Sequence, residues 1–168
     1  NTLLTAGNIA EAERVYQDTM AQCNGLNWNY YNRLRQYYVS QSNVPAMLEW
    51  TASLQAKALP PDLRVQAFAW LFEASRTVGP ASRVTDLVPV CIANFDVSTS
   101  RGLLTGVIAA YDSAGDQAAA SKVLDAIEHT ARLQAELRLL VTGQRVNLLF
   151  STAQWAKAEE RFQKEAKT

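Results

Sequence analysis

The 168-residue sequence is poor in the residues that mark disulfide scaffolds, metal centres and all-β folds, with two cysteines, one histidine, seven glycines and five prolines. Two cysteines, Cys23 and Cys91, are too few for a secreted disulfide scaffold. We expect them to be small buried thiols in a reducing compartment, the cytoplasm or another intracellular one. With His129 as the single histidine, a zinc site lacks ligands. Few glycines and prolines disfavour an all-β chain with many tight turns.

The sequence also lacks net charge and long apolar runs. Sixteen Lys and Arg balance sixteen Asp and Glu, which disfavours a general binder of nucleic acid or anionic membranes. No run of about 18 apolar residues occurs, so we predict no membrane span. The chain begins at Asn1 without an initiating Met or a signal-peptide pattern, and we expect it to be an excerpt of a longer chain.

Residues for catalysis are equally scarce. Without a G-x-S-x-G segment or a second histidine, a nucleophilic triad has only His129 as its base. Glu159 and Glu160 are adjacent, so on a helix they point about 100° apart and do not form a paired acid site. We interpret His129, near a predicted helix end, as a solvated or capping residue. The sequence therefore predicts no enzyme, and it implies no cofactor and no metal.

What the sequence does contain is a repeated turn followed by a helix start. Residues 7–16, 115–124 and 153–162 share a turn, a small Ala and a large apolar residue four positions later, and residues 42–47 and 79–84 are weaker copies. Aligned on one position, the copies have spacings of 35, 37, 36 and 38 residues. The aligned residues are Ala12, Met47, Val84, Ala120 and Ala158. Such a regular spacing between copies, the pitch of the repeat, is typical of repeat proteins, in which helical pairs stack on one another.

Between the turns, apolar residues recur three and four positions apart, which predicts helices with one buried stripe each. The stripes are Tyr31, Leu34 and Tyr38; Phe68, Leu71 and Ser75; and Leu104, Val107 and Tyr111. We predict no strand, and helices near residues 8–21, 27–40, 44–57, 62–77, 80–93, 98–113, 116–130, 133–150 and 153–166. Asp116 is a predicted N-cap. Pro89 is expected to kink its helix or to delay its start.

These features resemble a divergent form of the tetratricopeptide repeat (TPR) family. The resemblance rests on the pitch and on three groups of residues: the turn residues Gly7 and Gly115, the small Ala12, Ala120 and Ala158, and the aromatic Tyr16 and Phe162 one turn later. It implies an all-α fold, a right-handed α-solenoid of about four and a half TPR-like helix-turn-helix repeats. This solenoid would form a single domain over residues 1–168.

The resemblance also implies a function, that of a protein–protein interaction scaffold. Another protein would bind, as a peptide or a helix, to the concave face that the first helix of each unit lines, and the chain would belong to a larger complex. The residues expected on that face are Asn29, Asn32, Arg33, Gln36, Gln66, Glu73, Arg76, Thr105, Asp112 and Asn147. Asn side chains can bind a peptide backbone as donor and acceptor. The aromatic-rich stretch 28–38 is either core or an exposed anchor for the partner.

Two alternatives stay open. Tyr31-Asn32 and Ala110-Tyr111 also resemble pentatricopeptide repeats, which bind RNA. The base-reading positions of that family, usually small and polar, correspond here to Arg33, Trp70, Gly106 and Gln144. Those departures and the balanced charge disfavour sequence-specific RNA reading, because phosphate contacts supply most of the affinity. The second alternative is a regulatory domain that binds a ligand inside the superhelix.

Overall fold

The computed structural model describes residues 6–12, 14, 15, 18, 28–56, 59–130, 135–151, 160 and 163, and the regular elements among them are all helical. The all-α prediction is confirmed for this part of the chain. The helices with defined bounds are α1 (Trp28–Ser40), α2 (Val44–Leu54), α3 (Pro61–Val78), α4 (Ala81–Asn94), α5 (Val97–Ser113), α6 (Gln117–Thr130) and α7 (Ala135–Ser151). All seven begin and end within three residues of the predicted bounds. Most of the helix predicted at 153–166 lies outside the described residues.

The chain divides into two compact units, Asn1–Ala74 and Ser75–Thr168, with the boundary inside α3. Unit 1 contains α1, α2 and most of α3, and unit 2 contains the end of α3 and α4 to α7. The organisation as one repeat domain over residues 1–168 stays a prediction.

The turn between α1 and α2 recurs between α5 and α6. Residues 38–43 and 111–116 each contain one residue with left-handed backbone, Ser42 (φ 51°) in the first turn and Gly115 (φ 74°) in the second. In both turns the N–H of the last residue donates to the carbonyl of the first residue. The N···O distance is 3.1 Å from Asn43 to Tyr38 and 3.0 Å from Asp116 to Tyr111. This Schellman arrangement satisfies carbonyls at the helix end. Gly7 (φ 75°) has the same backbone conformation before the N-terminal helical residues.

The residue after each left-handed position caps the next helix. The Oδ1 atoms of Asn8, Asn43 and Asp116 each accept from the backbone N–H three residues later, at 3.3, 3.2 and 3.0 Å. The predicted cap at Asp116 is therefore confirmed. Asp96 caps α5 in the same way, accepting from the N–H and the hydroxyl of Thr99 at 2.9 and 2.7 Å. Such caps stabilise a helix because they satisfy N–H groups that have no partner inside it.

One buried position recurs four residues after the N-cap positions Asn8, Asn43, Pro80 and Asp116. Ala12, Met47, Val84 and Ala120 are 7%, 3%, 0% and 0% exposed. These are four of the five positions that the sequence aligned, and all four are buried, as positions of helix contact should be, whereas Ala158 lies outside the described residues. A small side chain at such a position lets neighbouring helices approach closely.

Helix α4 departs from this pattern. Pro80 occupies its N-cap position and provides no side-chain cap. Pro89 lies inside α4, which begins at Ala81, so the delayed start expected from Pro89 is wrong. Because Pro89 has no N–H, the carbonyl of Thr85 loses its usual helical donor. The helix nevertheless continues to Asn94.

Aromatic rings from α1, α2 and α3 form the core of unit 1. Trp50 of α2 stacks on Tyr31 of α1 and on Trp70 of α3, with ring centroids 6.5 and 5.7 Å apart. Tyr38 of α1 lies 5.6 Å from Trp50, and Leu34 is fully buried in the same cluster. The predicted stripe on α1 is therefore confirmed as core. Aromatic pairs of this kind add about 0.5–1.5 kcal/mol beyond the area they bury.

The core of unit 2 is largely aliphatic. Helix α6 packs against α4, α5 and α7, and α5 packs against α4 and α7. The fully buried side chains include Val84, Val88, Leu104, Ile108, Val123, Leu124, Ile127 and Leu137. The predicted stripe on α5 is buried as expected.

Cys91 of α4 is a buried free thiol, as the sequence predicts, whereas Cys23 lies outside the described residues. Burial raises the pKa of the Cys91 thiol to about 11, against a smaller opposing effect of Ser100. The thiol is therefore protonated and unreactive near neutral pH.

Candidate functional site

The residues expected on a concave face differ in their burial and in their contacts with the rest of the chain. On α1, Asn32 is half-buried and Arg33 and Gln36 are exposed. Asn29 lies in the first turn of α1, and its side chain is outside the described residues. On α3, Gln66 is half-buried. The structure therefore leaves Arg33 and Gln36 accessible to solvent on α1.

Two of the expected residues make contacts that hold helices together. Glu73 of α3 binds the guanidinium of Arg35 of α1, with the Arg35 Nη2 atom 2.8 Å from both carboxylate oxygens. Arg76 lies over the ring of Tyr111, with its Cζ atom 6.0 Å from the ring centroid. The Arg35–Glu73 pair is partly exposed, so it stabilises unit 1 by about 1 kcal/mol or less. Sequence reasoning gave Glu73 and Arg76 a binding role and missed these partners.

The remaining expected residues lie on α5 and α7. The half-buried Thr105 donates its hydroxyl to the carbonyl of Arg101 at 2.8 Å. Asp112 is exposed near the end of α5. Asn147 is exposed on α7 and lines a cleft in unit 2.

This cleft is a cavity of about 290 Å³ between α5 and α7. It is lined by Arg101 from α5 and by Glu136, Leu139, Leu140, Gly143, Gln144 and Asn147 from α7. Helices α5 and α7 correspond to the helices predicted at 98–113 and 133–150, and both carry residues expected on the concave face, so both are first helices of their predicted repeats. Among the predicted concave-face residues whose side chains the structure describes, Asn147 alone lines the cleft, and Gln144 was predicted only as a base-reading position.

The middle of the cleft is apolar and open. The side chain of Leu139 is 72% exposed, the largest exposure among the large hydrophobic residues that the structure describes. Leu140 is 9% exposed beside it. A Cβ atom built on Gly143 meets nothing within 4 Å. An exposed leucine beside open space is free to contact the side chain of another molecule, which would remove apolar surface from water.

Charged and amide groups flank this apolar part. Arg101 and Glu136 carry opposite charges on different helices, and neither forms an ion pair within the described ranges. Gln144 and Asn147 add two amides, each of which has donors and an acceptor. A binding surface with an apolar centre and a few polar groups around it is the usual chemistry of a recognition site.

Helix α7 is fixed in place by contacts on its other sides. Arg145 binds Asp125 and Glu128 of α6, the second at 2.8 Å. Burial alone would lower the pKa of the Arg145 guanidinium, but its bonds to both carboxylates outweigh that effect and raise it. Leu137 and Val141 are buried in the core of unit 2. The cleft therefore belongs to a preformed surface, because core packing and an ion-pair cluster set the position of α7.

Three glycines lie inside helices without an evident role in the fold. Gly102 and Gly106 are in α5 and Gly143 is in α7, and a Cβ built on each of them meets nothing within 4 Å. None of the three has the left-handed backbone that requires glycine. A glycine inside a helix costs roughly 0.5–1 kcal/mol relative to alanine. Close approach of another molecule is a physical role that glycine serves in such a place.

Histidine and grouped metal ligands are sparse in the described part of the chain. No group of three His, Cys, Asp or Glu among them could hold a metal ion. His129 is exposed in the last turn of α6, which agrees with its predicted place near a helix end. In the same part of the chain, no helix has the length and apolar character needed to cross a membrane.

Compared with models of known protein families, with curated protein sequences and with solved structures, the chain has no significant match. The resemblance to TPR proteins therefore stays a prediction from the sequence.

Proposed function

We propose that this chain is a protein-interaction module, a right-handed, TPR-like α-solenoid that binds a segment of another protein on the face formed by its first helices. The module works by recognition alone and needs no cofactor. It acts in a reducing compartment such as the cytoplasm, where the thiol of Cys91 stays free.

The recurrence of local geometry supports the repeat architecture. Residues 38–43 and 111–116 form the same turn, the residue after each left-handed position is a cap, and a buried residue follows four positions later. In unit 2, helices two apart in the chain also contact each other, α4 with α6 and α5 with α7. Contacts of this kind are expected when helical pairs stack in register.

The cleft between α5 and α7 is the observation that carries the proposed function. It lies between two successive first helices, as a concave-face site of a stacked repeat would. Its apolar centre, its amides and its two charges, which have no ion-pair partner among the residues that the structure describes, match the groups that a peptide offers. A nucleic-acid site requires a basic stripe, whereas the described residues that line this cleft include one Arg and one Glu, so a protein segment is the better occupant.

Selection from a phage-displayed peptide library tests this proposal. The wild-type chain is the bait, and peptides that also bind Gly143→Arg are removed. Arg at position 143 fills the open centre of the cleft, while the fold tolerates it because nothing lies within 4 Å of its Cβ. We expect peptides that bind the wild type at least tenfold more tightly than the variant. We also expect the variant to be more stable by about 0.5–1 kcal/mol, because Arg favours a helix more than Gly does.

Gly106→Arg is the matched control. It adds the same side chain at another open glycine inside a first helix, but Gly106 does not line the cleft. Selected peptides should bind this variant as tightly as they bind the wild type. If no peptide distinguishes the wild type from Gly143→Arg, or if the chain instead binds RNA oligonucleotides with strong salt dependence, the proposed function is wrong.

A further inference from the structure

The amides of the cleft indicate the conformation of its occupant. Gln144 and Asn147 lie three residues apart on α7, and both line the cleft. Each amide can donate to a carbonyl and accept from an N–H. The backbone groups inside an α-helix are already bonded to one another. A segment with free backbone groups, which means an extended one, is therefore the occupant that can use both amides.

The length of the cleft indicates how many residues the occupant contributes. Glu136 and Asn147 are the outermost lining residues on α7, and eleven positions separate them. At 1.5 Å per residue this is about 16 Å along the helix axis. An extended chain covers that distance with about five residues.

The side chains of the cleft indicate the residue types of the occupant. Leu139, Leu140 and the open space at Gly143 are suited to one aliphatic side chain near the middle of the segment. Arg101 and Glu136 have no ion-pair partner among the described residues and line the cleft from different helices, Arg101 from α5 and Glu136 from α7. Because their charges are opposite, a segment with one acidic and one basic residue complements both side chains, and a segment with two like charges is repelled by one of them.

We propose that the cleft binds an extended segment of about five residues that contains an aliphatic side chain, an acidic residue that pairs with Arg101 and a basic residue that pairs with Glu136. This inference rests on the proposed function and specifies the partner of the same site.

Two synthetic peptides test the inference, with the cores Asp-Ser-Leu-Ser-Lys and Lys-Ser-Leu-Ser-Asp between Gly-Ser ends. Binding is followed by the ¹H–¹⁵N NMR signal of the Gly143 amide, and the Gly106 amide serves as the internal reference outside the cleft. We expect one of the two orders to bind about threefold more tightly than the other, as exposed ion pairs allow. Replacement of the central Leu by Ser should weaken binding at least tenfold.

A double variant, Arg101→Glu with Glu136→Arg, distinguishes charge recognition from nonspecific binding, because it exchanges the two charges and preserves the net charge of the chain. We expect it to reverse the preference between the two peptides. An unchanged preference, or equal binding of the Leu and Ser peptides, contradicts the inference. If neither peptide shifts the Gly143 signal while library peptides still require an open Gly143, the inference is wrong and the proposed function stands. If no library peptide requires an open Gly143, both are wrong.

Discussion

The α1–α2 pair of unit 1 and the α5–α6 pair of unit 2 share one turn geometry but differ in the side chains around it. Ser42 has the left-handed backbone in the first turn and Gly115 in the second. On the first helices, Arg35 of unit 1 is held by Glu73, whereas Arg101 of unit 2 forms no ion pair within the described residues. The comparison indicates that the turn geometry is shared by the two pairs, while the polar residues on α1 and α5 differ in their partners. The proposed peptide-binding site is in unit 2 because the charge of Arg101 is available there to a partner.

The largest expected effect concerns the recurring buried position, where unit 1 has Met47 and unit 2 has Ala120. Ala120 is fully buried in α6, which packs against α4, α5 and α7. Ala120→Leu should therefore lower the free energy of unfolding by about 1–3 kcal/mol, because it overpacks that contact. Met47→Leu preserves the side-chain volume and should cost less than about 1.5 kcal/mol. Urea unfolding monitored by circular dichroism measures both.

Ala118→Leu is the control for the change in unit 2, since Ala118 is exposed on the same helix. Its effect should stay within about 0.5 kcal/mol, as for most surface substitutions. Equal midpoints for Ala120→Leu and Ala118→Leu would show that Ala120 is not a helix-crossing position.

A smaller effect is expected from exchanging the left-handed residues of the two turns. L-amino-acid residues are strained in this conformation because of their Cβ atom, which glycine lacks. Gly115→Ser should therefore destabilise the chain by about 1 kcal/mol. Ser42→Gly should stabilise it by less than that, because glycine also gains freedom in the unfolded chain. Thermal unfolding measures both changes. Shifts of the same sign would mean that the two turns are not equivalent.

Helix bounds, caps and buried stripes could be predicted from the sequence because the signals for them are local or periodic. The turn at Gly115-Asp116 and the stripe through Leu104 and Tyr111 each lie within one or two turns of helix. The ion pair between Arg35 and Glu73 could not be predicted, since it joins residues 38 positions apart. It depends on how α1 and α3 are rotated against each other.

The cleft could not be predicted either. It brings Arg101 beside α7, and this proximity depends on how α5 packs on α7. Two signals in the sequence pointed toward it. Leu139 lies off the buried stripe that contains Leu137 and Val141, and Gly143 interrupts a helical segment without a turn nearby. Each of these two signals favours the face of α7 with Leu139 and Gly143 as the binding site, rather than a set of polar residues spread along four helices.

The smallest expected effect is a difference in pH dependence between the caps Asp96 of α5 and Asn43 of α2. Hydrogen bonds from the N–H and hydroxyl of Thr99 lower the pKa of the Asp96 carboxyl below its ordinary 3.8. A group with a lowered pKa stabilises the folded state fully above its unfolded pKa, and this stabilisation is lost as the pH falls through the folded pKa. Asp96→Ser keeps a cap that does not titrate, so it should remove this part of the acid sensitivity, whereas Asn43→Ser should not. Urea midpoints from about pH 5 downward measure the difference. If both variants keep the wild-type pH dependence, the Asp96 carboxylate does not act as a cap.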